Sequence, residues 1–157
     1  MKGLFKEVIR INQMADDLER KTSAERLFNT LNTMDIPEYF NWAQDIFEGL
    51  HVAEQPEKPA LIWMDTRLQT EIVTYKGLSE KANRLINLFR AHGVVQKDSF
   101  YMMTPVLPEN WSGVLAGIKA GLVCVPTAIT LTRRDLEYRF ETYKPDIVMA
   151  DETSAVI

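Results

Sequence analysis

Glycine is scarce in this chain, and the few present stand apart. The seven lie at positions 3, 49, 77, 93, 113, 117 and 121, with no two closer than four residues. A phosphate-binding loop needs clustered glycines so that successive backbone N–H groups converge on the same oxygens, and this spacing excludes one. Histidine and cysteine are as sparse. His51 and His92 are far apart and Cys124 is alone, so no zinc-ligand spacing exists and no internal disulfide can form. Cys124 lies in the apolar run Leu122 to Pro126, which predicts a buried, inert thiol and suits a reducing cytoplasm.

An excess of positive charge is missing too. Eighteen Lys and Arg against 22 Asp and Glu give a net charge of -4 over 157 residues. Without a basic stripe to displace counterions from phosphates, a dedicated nucleic-acid binder is not expected. No long unbroken hydrophobic run exists either. The N-terminal MKGLFKEVIRIN returns to charge every few residues, unlike an export signal. The most apolar stretch, Trp111 to Ile129, repeats a small-xxx-small spacing at Gly113, Gly117 and Gly121. Lys119 interrupts it, and Gly121 and Pro126 divide it into a short helix and a short strand, so a membrane span is not predicted. Ser112 follows Trp111 and lacks the flanking glycines of a nucleophile elbow. The carboxylate pairs Asp16–Asp17 and Glu137–Glu141, and Arg133 with Arg134, read as solvated helix surface. His92 is expected to contact helix-terminal carbonyls. No catalytic residue and no metal ligand emerges.

What is present is patterning. Leu4, Val8, Ile11, Ala15 and Leu18 predict one stripe of a helix; Thr22 with Glu25 predicts a capping box opening a second helix that stops near Pro37. Asn41 with Gln44 opens a third, with Gly49 near its stop. The segment AEQPEKPA, with Pro56 and Pro59, reads as a connection. ALIWMD and EIVTY predict a hairpin. Thr74 then caps a helix whose stripe is Tyr75, Leu78, Ala82, Leu85, Ile86 and Phe89, stapled by Val73 against Leu78 and ended by a left-handed Gly93. DSFYMMT, LVCVPTA and DIVMAD are strands, the second apolar enough for an interior position. Between them lie a small-residue helix opened by Pro108 and one capped by Thr132, with Asp135 at its third position and able to pair with Arg139. The alternation predicts an α/β fold: a mainly parallel sheet with helices on both faces, preceded by an all-helical N-terminal segment. Residues 1–50 are read as a helical extension and 51–157 as an incomplete α/β scaffold.

Three blocks resemble, in order and spacing, the N-terminal part of AMP-forming acyl-CoA synthetases of the adenylating superfamily: VTYKGLSEKANRLINLFRAHGV, VLPENWSGVLAGIKAGLVCVPTAITLTRRDLEYRF and KPDIVMADE. FNWAQDIFEGL and PTAITLTRRDLEYR are most similar to the medium-chain branch. Two departures are local: Lys97-Asp98 stands where relatives place Gly-Asp, and Leu107 replaces an Asn cap, forgoing about 1 kcal/mol. The resemblance implies a whole enzyme that uses ATP, Mg and CoA to activate a medium-chain or short-chain carboxylate through acyl-AMP, in the cytoplasm. It also implies that this chain binds no cofactor itself, because the phosphate loop and adenylation lysine of relatives map to no residue here. Its partner would be the remainder of the enzyme, and an uncovered apolar face predicts self-association of the 157 residues alone. Ile129 and Thr130, with a position near Ala155 that lacks the relatives' arginine, would form a loop beside CoA. A non-catalytic interaction module and a flavodoxin-like nucleotide binder remain alternatives.

Overall fold

The computed structural model describes residues 1–35 and 37–156. The N-terminal region is helical but divides differently from the sequence expectation. α1 spans Lys2–Asn12 and α2 spans Asp17–Thr33. The expected single stripe from Leu4 to Leu18 breaks at Gln13, because the Asp16 carboxylate accepts the Glu19 N–H at 2.7 Å and starts a new helix. Leu18 is left three-quarters exposed. Thr22 therefore lies inside α2 rather than at its cap, and its hydroxyl donates to the Leu18 carbonyl at 2.9 Å. Ile11 is the residue of α1 that is fully buried.

The third helix, Ala43–Val52, is a π-helix. Asn41 caps it as expected, accepting the Gln44 N–H at 3.1 Å, but the reciprocal bond comes from Asp45, which accepts the Asn41 N–H at 2.8 Å. The helix runs past Gly49, where an added Cβ would press on the Lys2 side chain of α1. Its inner face, Ala43, Ile46, Phe47 and Leu50, is buried. Glu48 on the same helix accepts from Ser79 at 2.5 Å and pairs with Lys119 at 2.7 Å, with both charged side chains less than a fifth exposed.

β1 (Pro59–Met64) and β2 (Thr70–Thr74) form the expected antiparallel hairpin. α3 (Tyr75–Ala91) begins where Thr74 accepts the Gly77 N–H at 3.1 Å, and it ends at Gly93 with φ +80°. The His92 ring lies 2.9 Å from the Leu88 carbonyl. β3 (Ser99–Met103) follows a turn in which Lys97 holds φ +77°. That conformation suits glycine and costs a side-chain-bearing residue about 1 kcal/mol. Lys97→Gly is accordingly expected to stabilise the chain by about that amount, read as a higher urea midpoint at unchanged slope.

α4 (Pro108–Ala120), β4 (Val123–Pro126), α5 (Arg133–Thr142) and β5 (Ile147–Ala150) complete a parallel sheet of order β4-β3-β5. All five residues of β3 are buried. Phe100 and Met102 face the core under α3 and α4, where Phe89 meets Phe100 at 5.0 Å. Tyr101 faces the other side, edge-on to Phe140 of α5 at 5.3 Å. Helices thus cover both faces, and the α/β arrangement expected from the sequence is the one observed. β4 is not interior, however; among the described residues it is an edge. Val123 and Thr127 direct their N–H groups to Asp98 and Met102 of the β3 side, so strand alternation aims the backbone groups of Cys124 and Pro126 at the open edge. Proline has no N–H to offer there, which marks an edge.

Candidate functional site

In an open parallel sheet, ligands bind outside the carboxyl ends of the strands. At that end the chain leaves β4 through Thr127, whose N–H bonds Met102 at 2.8 Å and whose hydroxyl donates to the Val125 carbonyl at 3.2 Å. Ala128, Ile129 and Thr130 then turn at the surface, closed by a Leu131 N–H to Ala128 carbonyl contact of 3.4 Å. Ile129 is 42% exposed.

Thr127 separates two hollows. On the α5 face, a groove of about 420 Å³ is lined by Tyr101, Met103, Leu136, Phe140, Ser154 and Ala155 among others. On the α4 face, a smaller one of about 240 Å³ is lined by Thr104, Val106, Asn110, Trp111 and Pro126. Ile129 and Thr130 line neither; they form the rim beside Thr127. Ala155 does line the larger groove, in the 3-10 turn Ser154–Val156, and its N–H bonds the Asp151 carbonyl at 2.9 Å. A hollow of about 500 Å³ lies at the opposite end of the sheet, beside Arg90, Gln96 and Lys119. There the carbonyl termini of α3 and α4 converge, a poor setting for an anion.

The start of α5 is already occupied. Asp135 accepts the Thr132 N–H at 2.9 Å and its hydroxyl at 2.7 Å, so it serves the cap, and among the described residues it forms no ion pair with Arg139. Those bonds hold the Asp135 carboxyl below the usual carboxylate range. Arg133 pairs with Glu137 at 2.9 Å on the solvated face. Bonds from the Ser99 backbone N–H and then its hydroxyl hold Asp146 low in the same way, and bonds from Ser154 hold Asp151 low. The Cys124 thiol is pushed up by burial. Its sulfur packs toward Gly117. His51 stacks on Tyr75 at 4.9 Å, and burial, then Lys58, lowers its pKa. Among the described residues no three His, Cys, Asp or Glu side chains gather as metal ligands. No helix there is long and apolar enough to cross a membrane.

The shifts of His51 and the three aspartates favour the form with fewer protons in the folded state, whereas the raised Cys124 thiol favours its protonated form and bears on stability only at alkaline pH. Stability is therefore complete above the unfolded pKa values and falls as pH drops, first as His51 titrates below about 6.5 and then as the three aspartates titrate below about 4. Thermal scans from pH 8 to pH 3 should show that two-stage decline, and Asp146→Asn should flatten the lower stage.

The sequence named the loop Ile129–Thr130 but missed both hollows, which are assembled from β3, α5 and the last turn. The AMP-binding enzyme family profile matches residues 50–157. The chain is 41% identical over 119 residues to 4-hydroxybutyrate–CoA ligase 1 of Metallosphaera sedula, covering 75% of this chain and 21% of that protein. It is 28% identical over 127 residues to the mitochondrial acyl-coenzyme A synthetase ACSM3 of Rattus norvegicus, covering 78% of this chain and 22% of that protein. Among solved structures, an acyl-CoA synthetase from Brucella canis superposes with a TM-score of 0.70 at 16% identity, covering 79% of this chain and 22% of that one. Acetoacetyl-CoA synthetase from Streptomyces lividans gives 0.65 at 24%, covering 71% and 17%. The chain spans about a fifth of the length of the curated relatives it matches.

Proposed function

The chain belongs to the AMP-binding enzyme family, and from that premise we propose that it is the N-terminal part of an acyl-CoA synthetase. The whole enzyme would convert a medium-chain or short-chain carboxylate and MgATP to acyl-AMP and pyrophosphate, then pass the acyl group to the CoA thiol. The observation that carries this reading is the 41% identity to a CoA ligase over three quarters of the chain. What supports a division into a helical extension, residues 1–50, and a scaffold, 51–157, is that the family match begins at residue 50. The remainder of the enzyme is the partner this reading requires, and a reducing cytoplasm is where we place it.

Within that enzyme this chain contributes scaffold and one wall of the CoA path. The rim formed by Ile129 and Thr130 stands at the carboxyl end of β4, above a groove whose far side carries Ser154 and Ala155. Exposed, backbone-rich and free of acidic side chains, Ile129–Thr130 can accept the nucleotide end of CoA, though no arginine at Ala155 adds charge. Binding by this part alone is weak. Titrating CoA into the labelled 157-residue chain should shift amide resonances of Ile129, Thr130 and Ala155 at millimolar concentration, while MgATP shifts none at micromolar. Shifts confined to the Arg90 and Gln96 hollow, or none at the rim, would remove Ile129 and Thr130 from the CoA path.

A further inference from the structure

Trp111 is the only aromatic residue of α4, and it is 50% exposed. A side chain that large is normally buried over most of its surface. Other rings around the sheet already have neighbours: Tyr101 lies edge-on to Phe140, Phe89 meets Phe100, and the Trp63 indole N–H donates to the Val106 carbonyl at 2.9 Å. Among the described residues Trp111 pairs with no other ring. It lines the hollow of about 240 Å³ at the carboxyl end of the sheet, where Met102, Val114 and Pro126 supply apolar wall and Thr104 and Thr127 supply hydroxyls. The wall is braced. Thr104 donates to the Asn110 side-chain oxygen, and the Asn110 amide donates to the Pro105 carbonyl at 2.6 Å. No acidic or basic side chain lines this hollow.

We propose that this hollow takes the purine ring of CoA, stacked on the Trp111 indole. This assignment rests on the CoA path proposed above and gives one part of that molecule its own subsite. Thr127 makes the connection, because it lines the hollow and the chain runs from it directly into the rim at Ile129 and Thr130. The phosphates of CoA bring several negative charges, and neutral walls offer them no counter-charge. They stay outside. The purine is uncharged and flat with polar edges, which suits a mostly apolar hollow carrying a few fixed polar groups. Its π-face stacks on an indole without regard to edge pattern. The flexible pantetheine arm has no π-face to stack. The larger groove offers no free ring either, since Tyr101 and Phe140 are turned on each other.

The isotope-labelled 157-residue chain gives three indole N–H resonances, from Trp42, Trp63 and Trp111, which single replacements by Phe assign. Adenosine and CoA, each at millimolar concentration, are expected to move the Trp111 signal upfield through the purine ring current. Pantetheine should leave it in place, and the Trp42 and Trp63 signals should not move with any of the three. Trp111→Ala should raise the CoA dissociation constant about tenfold and Trp111→Phe about threefold. The indole signal of the unaltered chain decides the matter even if either variant disturbs folding. A Trp111 signal moved by pantetheine and not by adenosine gives the hollow to the acyl-carrying arm and overturns the inference. A silent Trp111 signal alongside CoA shifts at Ile129 and Thr130 overturns it too, while leaving the CoA path standing; shifts at neither place remove both.

Discussion

Gly117→Val should leave the chain unfolded at physiological temperature. An added Cβ at Gly117 would overlap the Cys124 sulfur and stand 3.3 Å from the Phe100 ring. Neither neighbour can yield cheaply: Phe100 is fully buried in the central strand, and Cys124 is fixed by the β3–β4 ladder. Helix α4 would have to lift from the sheet along its length. Overpacking of this kind costs about 1–3 kcal/mol where a core can adjust and more where backbone must move. Against a total stability of about 5–15 kcal/mol, that is disabling. The milder Gly117→Ala should fold with a large loss in urea midpoint, and Cys124→Ala added to it should return more than half, because the colliding sulfur is gone. Gly3→Ala, which meets nothing within 4 Å, should change nothing measurable.

Lys119→Met should cost about 3–5 kcal/mol, because it strands the Glu48 carboxylate where water reaches it poorly. Lys119 binds Glu48 at 2.7 Å and Asn83 at 2.7 Å, and its side chain is 15% exposed against 19% for Glu48. This pair ties the π-helix to α4, with Ser79 of α3 as a third member. Replacing both charges, Lys119→Met with Glu48→Leu, should recover most of the loss but not all, since the buried Ser79 hydroxyl then loses its acceptor. Removing the exposed Lys6–Glu54 pair, 54% and 45% exposed, should cost no more than about 1 kcal/mol. Urea unfolding of the two singles and the double gives the coupling directly.

The difference between these two sites also explains what could be read from the sequence. The small residues of α4 announced close packing on a sheet, and Thr74, Gly93 and Thr132 announced helix ends, because each signal is local and chemically specific. The competition between Asp16 and Thr22 as caps was not legible, since both residue types suit the role. The π-helix was invisible for a similar reason: its apolar stripe fits either winding, and the anchor from the Asn41 side chain to the Ile118 carbonyl at 2.8 Å is long-range. β4 looked interior because its composition is apolar, yet edge status depends on which strand lies beside it. Of the candidate site, the loop at Ile129 and Thr130 was named only by what the family resemblance implies, with no local signal of its own. The hollows on either side of Thr127 were not legible, because their walls come from segments as far apart as Tyr101 and Ala155.

The acidic balance and the dispersed glycines bear on the largest question, which is what this chain can do unaided. Gly93 and Gly121 end helices at φ +80° and +70°, and Gly113 and Gly117 lie against the sheet, so these four serve backbone geometry or packing rather than a triphosphate. The most direct test is a hydroxylamine-trapping assay of the purified 157-residue chain with MgATP and short-chain to medium-chain acids. The account predicts no acid-dependent hydroxamate and no pyrophosphate above the rate without protein. Steady, acid-dependent release of both would contradict it.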